Sequence, residues 1–151
     1  MAFDFQALID AVASDALVTG IFDTVNAHEP TSAPGNGMTC SIWSSDIRSV
    51  PSSGLGAVSV LVELTARIQT PRIQEDPNTI DPLIMQAVGT LMAEFGGGFT
   101  LGGIVREIDL LGQHSSGLGA KPGYVTQNNV VYRVMDMTVP IIVNDLYAEV
   151  P

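Results

Sequence analysis

The chain is short of cysteine, lysine, histidine and long apolar runs, and each shortage excludes something. Cys40 is the only cysteine in 151 residues, so no intrachain disulfide exists and a thiolate metal cluster would need other ligands. Lys121 is the only lysine; with five arginines it faces sixteen acids, for a formal charge of −10. Nucleic-acid affinity rests on clustered Lys and Arg at phosphates, and anionic membranes select the same residues. Neither partner suits this charge. No apolar run approaches the roughly 20 residues that span a bilayer. The first five residues, MAFDF, carry an acid where a secretory signal carries basic residues. The expectation is a soluble protein of a reducing cytoplasm.

Catalytic groups are equally sparse. His28 and His114 both sit in Gly-, Pro- and Ser-rich stretches, which hold no base against a nucleophile. His28-Glu29 opens like a zinc-protease motif, but Pro30-Thr31-Ser32 follow and the second histidine is missing. The pairs Gly35/Gly37, Gly54/Gly56 and Gly117/Gly119 lack the strand–glycine–helix setting of a phosphate loop. Glu75, Asp76 and Asp81 lack the spacing of a calcium loop. Cys40 reads as a small buried hydrophobe. The expectation is a non-enzyme with no metal and no cofactor.

What is present is a core. Apolar residues make up 46% of the chain and charged ones 15%, which excludes disorder for most of it. The length suits one domain, residues 1–151. Residues 3–25 place Phe5, Leu8, Ile9, Val12, Ala16, Phe22 and Val25 on one stripe of a helix, weakened near its end by Gly20. Residues 26–37 read as loop, and a strand is expected from Met38 to Ile47. From Ala57 to Ile68 the residues Val58, Val60, Val62, Leu64, Ala66 and Ile68 alternate with a mainly polar set, which is the period of a strand.

Asp81-Pro82 reads as the N-cap and first position of a second helix. Its stripe runs from Leu83 to Phe95, and Gly96-Gly97-Gly98 ends it. Further strands are expected at Ile104–Leu111 and Val130–Val143, the last an edge or a broken strand because Pro140 cannot donate. Residues 112–123 between them read as loop. The hexapeptide Ser52–Ala57 recurs as Ser115–Ala120; its flanks do not match, which favours shared loop chemistry over duplication. The expected class is α+β: two helices packed on a mainly antiparallel sheet, in the order helix-strand-strand-helix-strand-strand.

Arg67, Arg106 and Arg133 fall within expected strands, with Arg48 and Arg72 at strand ends. Arginine is enriched at protein interfaces, where its fork pairs carboxylates. Arg67, Arg106 and Arg133 are therefore candidate subunit-interface residues, each paired with an acid of an adjacent copy. Solvent-facing strand positions are the plainer reading.

Several ordered strings carry a resemblance. They are Asn26–Pro30, Ser32–Met38, Ile80-Asp81-Pro82, Phe99–Gly103, Val105-Arg106, Ile108–Gly112, Gly123-Tyr124, Tyr132–Met135 and Pro140–Asp145. In this order and spacing they resemble the tail terminator proteins of long-tailed phages that infect actinobacteria, from about residue 5 to the C-terminus. The resemblance implies a virion structural protein at the neck, assembled in the host cytoplasm. Its partners would be itself in a homohexameric ring, the tail tube protein, and a head–tail connector or stopper. The ring ends tube polymerisation and joins tail to head, without specific nucleic-acid or membrane binding, while DNA crosses its lumen. The loops 26–37 and 112–123, with His28, Glu29, Pro30, Gly117 and Leu118, become candidate contacts with neighbouring rings. Repulsion of DNA by an acidic wall would place Glu63, Glu75, Asp76 and Glu107 in the lumen rather than Arg48, Arg72 or Lys121. The alternatives are another neck or tail-completion component or, in a different class, a small ligand-binding domain or enzyme.

Overall fold

A computed structural model describes residues 3–29, 37–51, 56–71, 77–127 and 129–148. Pro30, Arg72, Glu75 and Asp76 lie outside them, as does most of the first copy of the repeated hexapeptide. Helix α1 spans Phe5–Val18, β1 Thr24–Asn26, β2 Thr39–Ser49 and β3 Ala57–Pro71. A single turn of 3-10 helix leads into α2, Ile80–Gly97, followed by β4 Glu107–Ile108, β5 Gly119–Gln127 and β6 Val130–Ala148. One mixed sheet results, in the order β1-β2-β3-β6-β4, with β5 also paired to β6.

The expected order, helix-strand-strand-helix-strand-strand, is thus wrong: each helix is followed by three strands. One missing strand, β1, lies in what reads as the tail of the first helix. That helix ends early, at Val18, and Gly20 takes φ +71°. Three residues are too few to show a period, and β1 pairs with β2 in parallel through Val25↔Cys40. The other missing strand, β5, reads Gly119-Ala120-Lys121-Pro122-Gly123-Tyr124 at its start, a run of strand breakers. It is an edge strand bonded only to β6, and an edge tolerates proline because one side of its backbone meets no ladder.

Three further expectations need correction. The strand expected over Ile104–Leu111 shrinks to Glu107–Ile108, since Leu101, Gly102 and Gly103 all take positive φ and Asp109 turns the chain. Asp81 is not the N-cap of α2 but lies in its first turn; Thr79 is the cap residue. Strand β6 is neither an edge nor broken at Pro140. It lies between β3 on one side and β5 and β4 on the other. Pro140 falls between the last β5 pair, Gly119↔Thr138, and the first β4 pair, Ile108↔Ile141. Its carbonyl accepts the Asp109 N–H at 2.8 Å, so the donor it lacks faces a gap where the partner strand changes.

Both helices cover one face of the sheet. Leu8, Val12 and Ala16 of α1 and Ile84, Ala87, Leu91 and Phe95 of α2 are buried against Ile42, Val62, Leu64, Ala66, Ile68, Met137, Val139 and Ile141. The alternation of β3 explains this directly: Val62↔Ile141, Leu64↔Val139 and Ala66↔Met137 are cross-strand pairs on the helix side. On the other face Leu61, Ile142 and Val50 form a small second cluster.

Phe95 is fully buried, whereas Leu83 on the same helix is 49% exposed. Replacing Phe95 with alanine is expected to cost about 3–5 kcal/mol, and Leu83→Ala well under 1 kcal/mol, roughly the range of surface substitutions. Urea midpoints of the two variants check the assignment of the buried stripe.

Candidate functional site

The face without helices carries a polar row in register across four strands. Ser41 of β2 lies opposite Arg67 of β3, Arg67 opposite Asp136 of β6, and Asp136 opposite Lys121 of β5. Arg67 grips Asp136 with two bonds, from Nε at 2.7 Å and Nη2 at 3.0 Å, and its guanidinium lies 5.3 Å from the centre of the Trp43 ring. The hydrogen bond to Asp136 favours the charged guanidinium most, burial opposes it, and the fields of Asp136 and Glu29 add support. The Glu29 field shows that the chain leaving β1 passes near this row. His28 and Glu29 are both exposed there, with the Glu29 carbonyl 2.9 Å from His28 Nδ1. Lys121 is exposed and makes no ion pair among the described residues. It opens onto a groove of about 450 Å³ lined also by Gly117, Gly119, Gly123, Asp136 and Thr138.

The three arginines expected at an interface are not brought together. Arg133 lies on the helix side, where its Nε donates to Asp81 Oδ1 at 3.0 Å and its guanidinium covers Tyr124 at 4.6 Å. Arg106 precedes β4 and reaches Asn144 Oδ1 at 3.5 Å. Arg67 and Arg133 therefore already hold acids of their own chain. Glu63 pairs with Arg48, at 3.4 Å, and Arg48 also holds Asp46. Glu107 is half-buried in β4.

A second built feature lies between β4 and β5. Asp109 is 3% exposed, and its carboxylate accepts the Gln113 N–H at 2.8 Å, the His114 N–H at 2.9 Å and the Ser115 hydroxyl at 2.8 Å. Ser115 Oγ in turn accepts the Gly117 N–H at 3.0 Å, and Leu118 N–H bonds the Leu110 carbonyl at 3.2 Å. Gly112 and Gly117 have φ +82° and +85°; a Cβ on Gly112 would stand 2.8 Å from the Ser115 carbonyl oxygen. The expected contact residues Gly117 and Leu118 thus belong to a locked loop. At its tip Leu111 is 95% exposed. Asp109 is followed by Leu110-Leu111, so the sequence does not mark it as the residue that fixes the loop; Gly112 is the nearest turn signal. Burial pushes its carboxyl up, but the His114, Ser115 and Gln113 donors outweigh burial and hold it below the usual value.

On the helix side, Phe5, Leu8, Ile9, Ser44, Ile47, Val62 and Leu64 line an almost wholly apolar cavity of about 200 Å³. The helix that forms its wall is acidic. Asp15 is raised by burial and, secondarily, by Glu94 on α2, so two like charges face each other across the helix pair. The Cys40 thiol is buried and pushed up to about 12, which makes it a poor nucleophile. Among the described residues no group of three or more His, Cys, Asp or Glu is placed to hold a metal, and no helix is long and apolar enough to cross a membrane. Comparison with known protein families and with curated proteins finds no match.

Two outcomes follow from these geometries. In a double-mutant cycle, Arg67→Met and Asp136→Asn should show a coupling on the order of 1 kcal/mol, because both groups stay partly wet; denaturation of the four proteins measures it. Asp109 is depressed when folded, so it stabilises above its unfolded value near 3.8 and the contribution is lost as pH falls through the lower folded value. Thermal melts from pH 5 to 2 should therefore fall less steeply for Asp109→Asn than for the wild type, and the variant should already be weaker at pH 7.

Proposed function

We propose that this protein is a structural subunit of a phage neck, assembling with copies of itself into a ring that caps the tail tube and meets the head connector. The resemblance of the ordered strings supplies the words ring and tail. The observation in the structure that carries the assembly part is the amount of apolar side chain left in water. Leu111, Val18, Leu17, Tyr124, Met85 and Ile47 are each more than half exposed, on loops, both helices and two strands of one small acidic domain. Two groups of them are contiguous: Leu17 and Val18 adjoin at the end of α1, and Ile47 shares an apolar cavity with the partly exposed Phe5; contiguous exposed apolar groups support contact surfaces for neighbours.

In this reading the edge strands meet neighbours through side chains. Lys121, Pro122 and two glycines on β5, and the register shift at Ser44/Asp46 on β2, are the devices that stop edges from pairing indiscriminately. The acidic excess keeps free copies soluble, and part of it, with Glu107 as a candidate, faces the DNA path.

Electron microscopy of purified tail tubes incubated with the protein tests the proposal. Rings at one tube end, with tube growth halted, are expected. Tubes that stay bare and continue to lengthen at saturating protein would overturn it.

A further inference from the structure

We infer that Leu111 of one copy inserts into the apolar cavity beneath Phe5 and Ile47 of the next copy. The inference deepens the ring reading above and rests on it. Leu111 is the most exposed large apolar residue among those described, at 95%. Its loop is held by the buried Asp109 carboxylate and two glycines with positive φ, so little backbone freedom remains to be lost on docking. A rigid loop that displays a leucine to water is unfavourable until the leucine is covered.

The same chain carries a hole of matching character. The cavity holds about 200 Å³, its lining has one polar residue, Ser44, and Ile47 at its rim is 54% exposed. It lies over β2 and β3, whereas Leu111 follows β4, beyond β6 on the far side of the sheet. Knob and hole therefore cannot satisfy each other within one copy. A contact between different surfaces of identical chains is head-to-tail and closes into a ring when the rotation permits.

Charge selects the occupant. Residues 110–120 carry no charged side chain, and this stretch is preceded by Arg106 and followed by Lys121, two of only six cations in the chain. Beside the hole, Asp4 caps α1 and Asp10 follows Ile9, while the one nearby cation, Arg48 next to the rim residue Ile47, is already held by Asp46 and Glu63. Of the acids nearest the knob, Asp109 is buried, Asp136 stands opposite Lys121 and is held by Arg67, and Glu107 is half-buried in β4. A copy of this chain thus offers an apolar knob flanked by Lys121 to a hole flanked by Asp4 and Asp10. In a protein of charge −10, such a contact does not set acid against acid.

Cys40 is buried and its thiol is pushed up to about 12, so engineered cysteines can be read without interference. The test is the double variant Leu111→Cys/Ile47→Cys, mildly oxidised and run on non-reducing gels, beside each single variant. The double variant should give a ladder of linked copies ending in a closed species, and a mixture of the two singles should stop at dimers. Leu111→Asp, folded by circular dichroism, should raise the concentration for half-assembly by about tenfold or more, a factor that corresponds to about 1.4 kcal/mol. A double variant that stays unlinked, or a Leu111→Asp variant that assembles like the wild type, would sink the contact. The native mass of the wild type, with and without tail tubes, separates the two ideas: an oligomer without the cross-link leaves the ring reading standing, and a monomer in both settings removes both.

Discussion

The long ladder between β3 and β6 is the interaction on which every other part depends. It runs from Ala57↔Ala148 to Pro71↔Tyr132, joining segments about half the chain apart. One side of it supplies Val62, Leu64 and Ala66 opposite Ile141, Val139 and Met137, the floor on which both helices rest. The other side supplies Arg67 opposite Asp136. Because the side-chain period is two, a slip of one residue would turn the helix floor outward and bury the Arg67 row. The bidentate Arg67–Asp136 pair, toward the Pro71 end of the ladder, therefore adds little energy but opposes that slip. Its partners are long-range, so the loop closure they need is slow, and α2, the α-helix between them, can form before it.

Strands and helices that are paid for by their own periodicity could be read from the residues. Strand β3 keeps an apolar residue at every second position from Val58 to Ile68, with Leu61 the one apolar residue of the other set, and α2 keeps its stripe from Ile84 to Phe95. What could not be read depends on partners. Strand β5 contains lysine, proline and two glycines, and it exists because β6 offers an open side from Val130 to Thr138. Strand β1 needs only Thr39–Ser41 beside it. Pro140 argues against a central strand on local grounds, and the change of partner from β5 to β4 removes the objection.

The candidate surfaces were legible in a similar measure. Arginine in strands points to ion pairs, and Arg67 and Arg133 do make them, but with Asp136 and Asp81 of the same chain. Gly117 and Leu118 were marked as loop residues without any hint of what fixes the loop. That role belongs to Asp109, at the turn that ends β4.

The locked loop and the acidic flank belong to one physical argument. A chain with sixteen acids and six bases repels its copies at every approach except those that place cations against acids or remove charge altogether. The exposed parts of residues 110–120 meet the second condition, and Arg106 and Lys121 at their margins meet the first. Three donors on one buried carboxylate then fix where those parts stand. Flexible, the same residues would lose their ordering entropy at each contact; held by Asp109, they lose it once, when the monomer folds. In the proposed ring, orientation and rigidity, rather than a large apolar patch, would choose the neighbour.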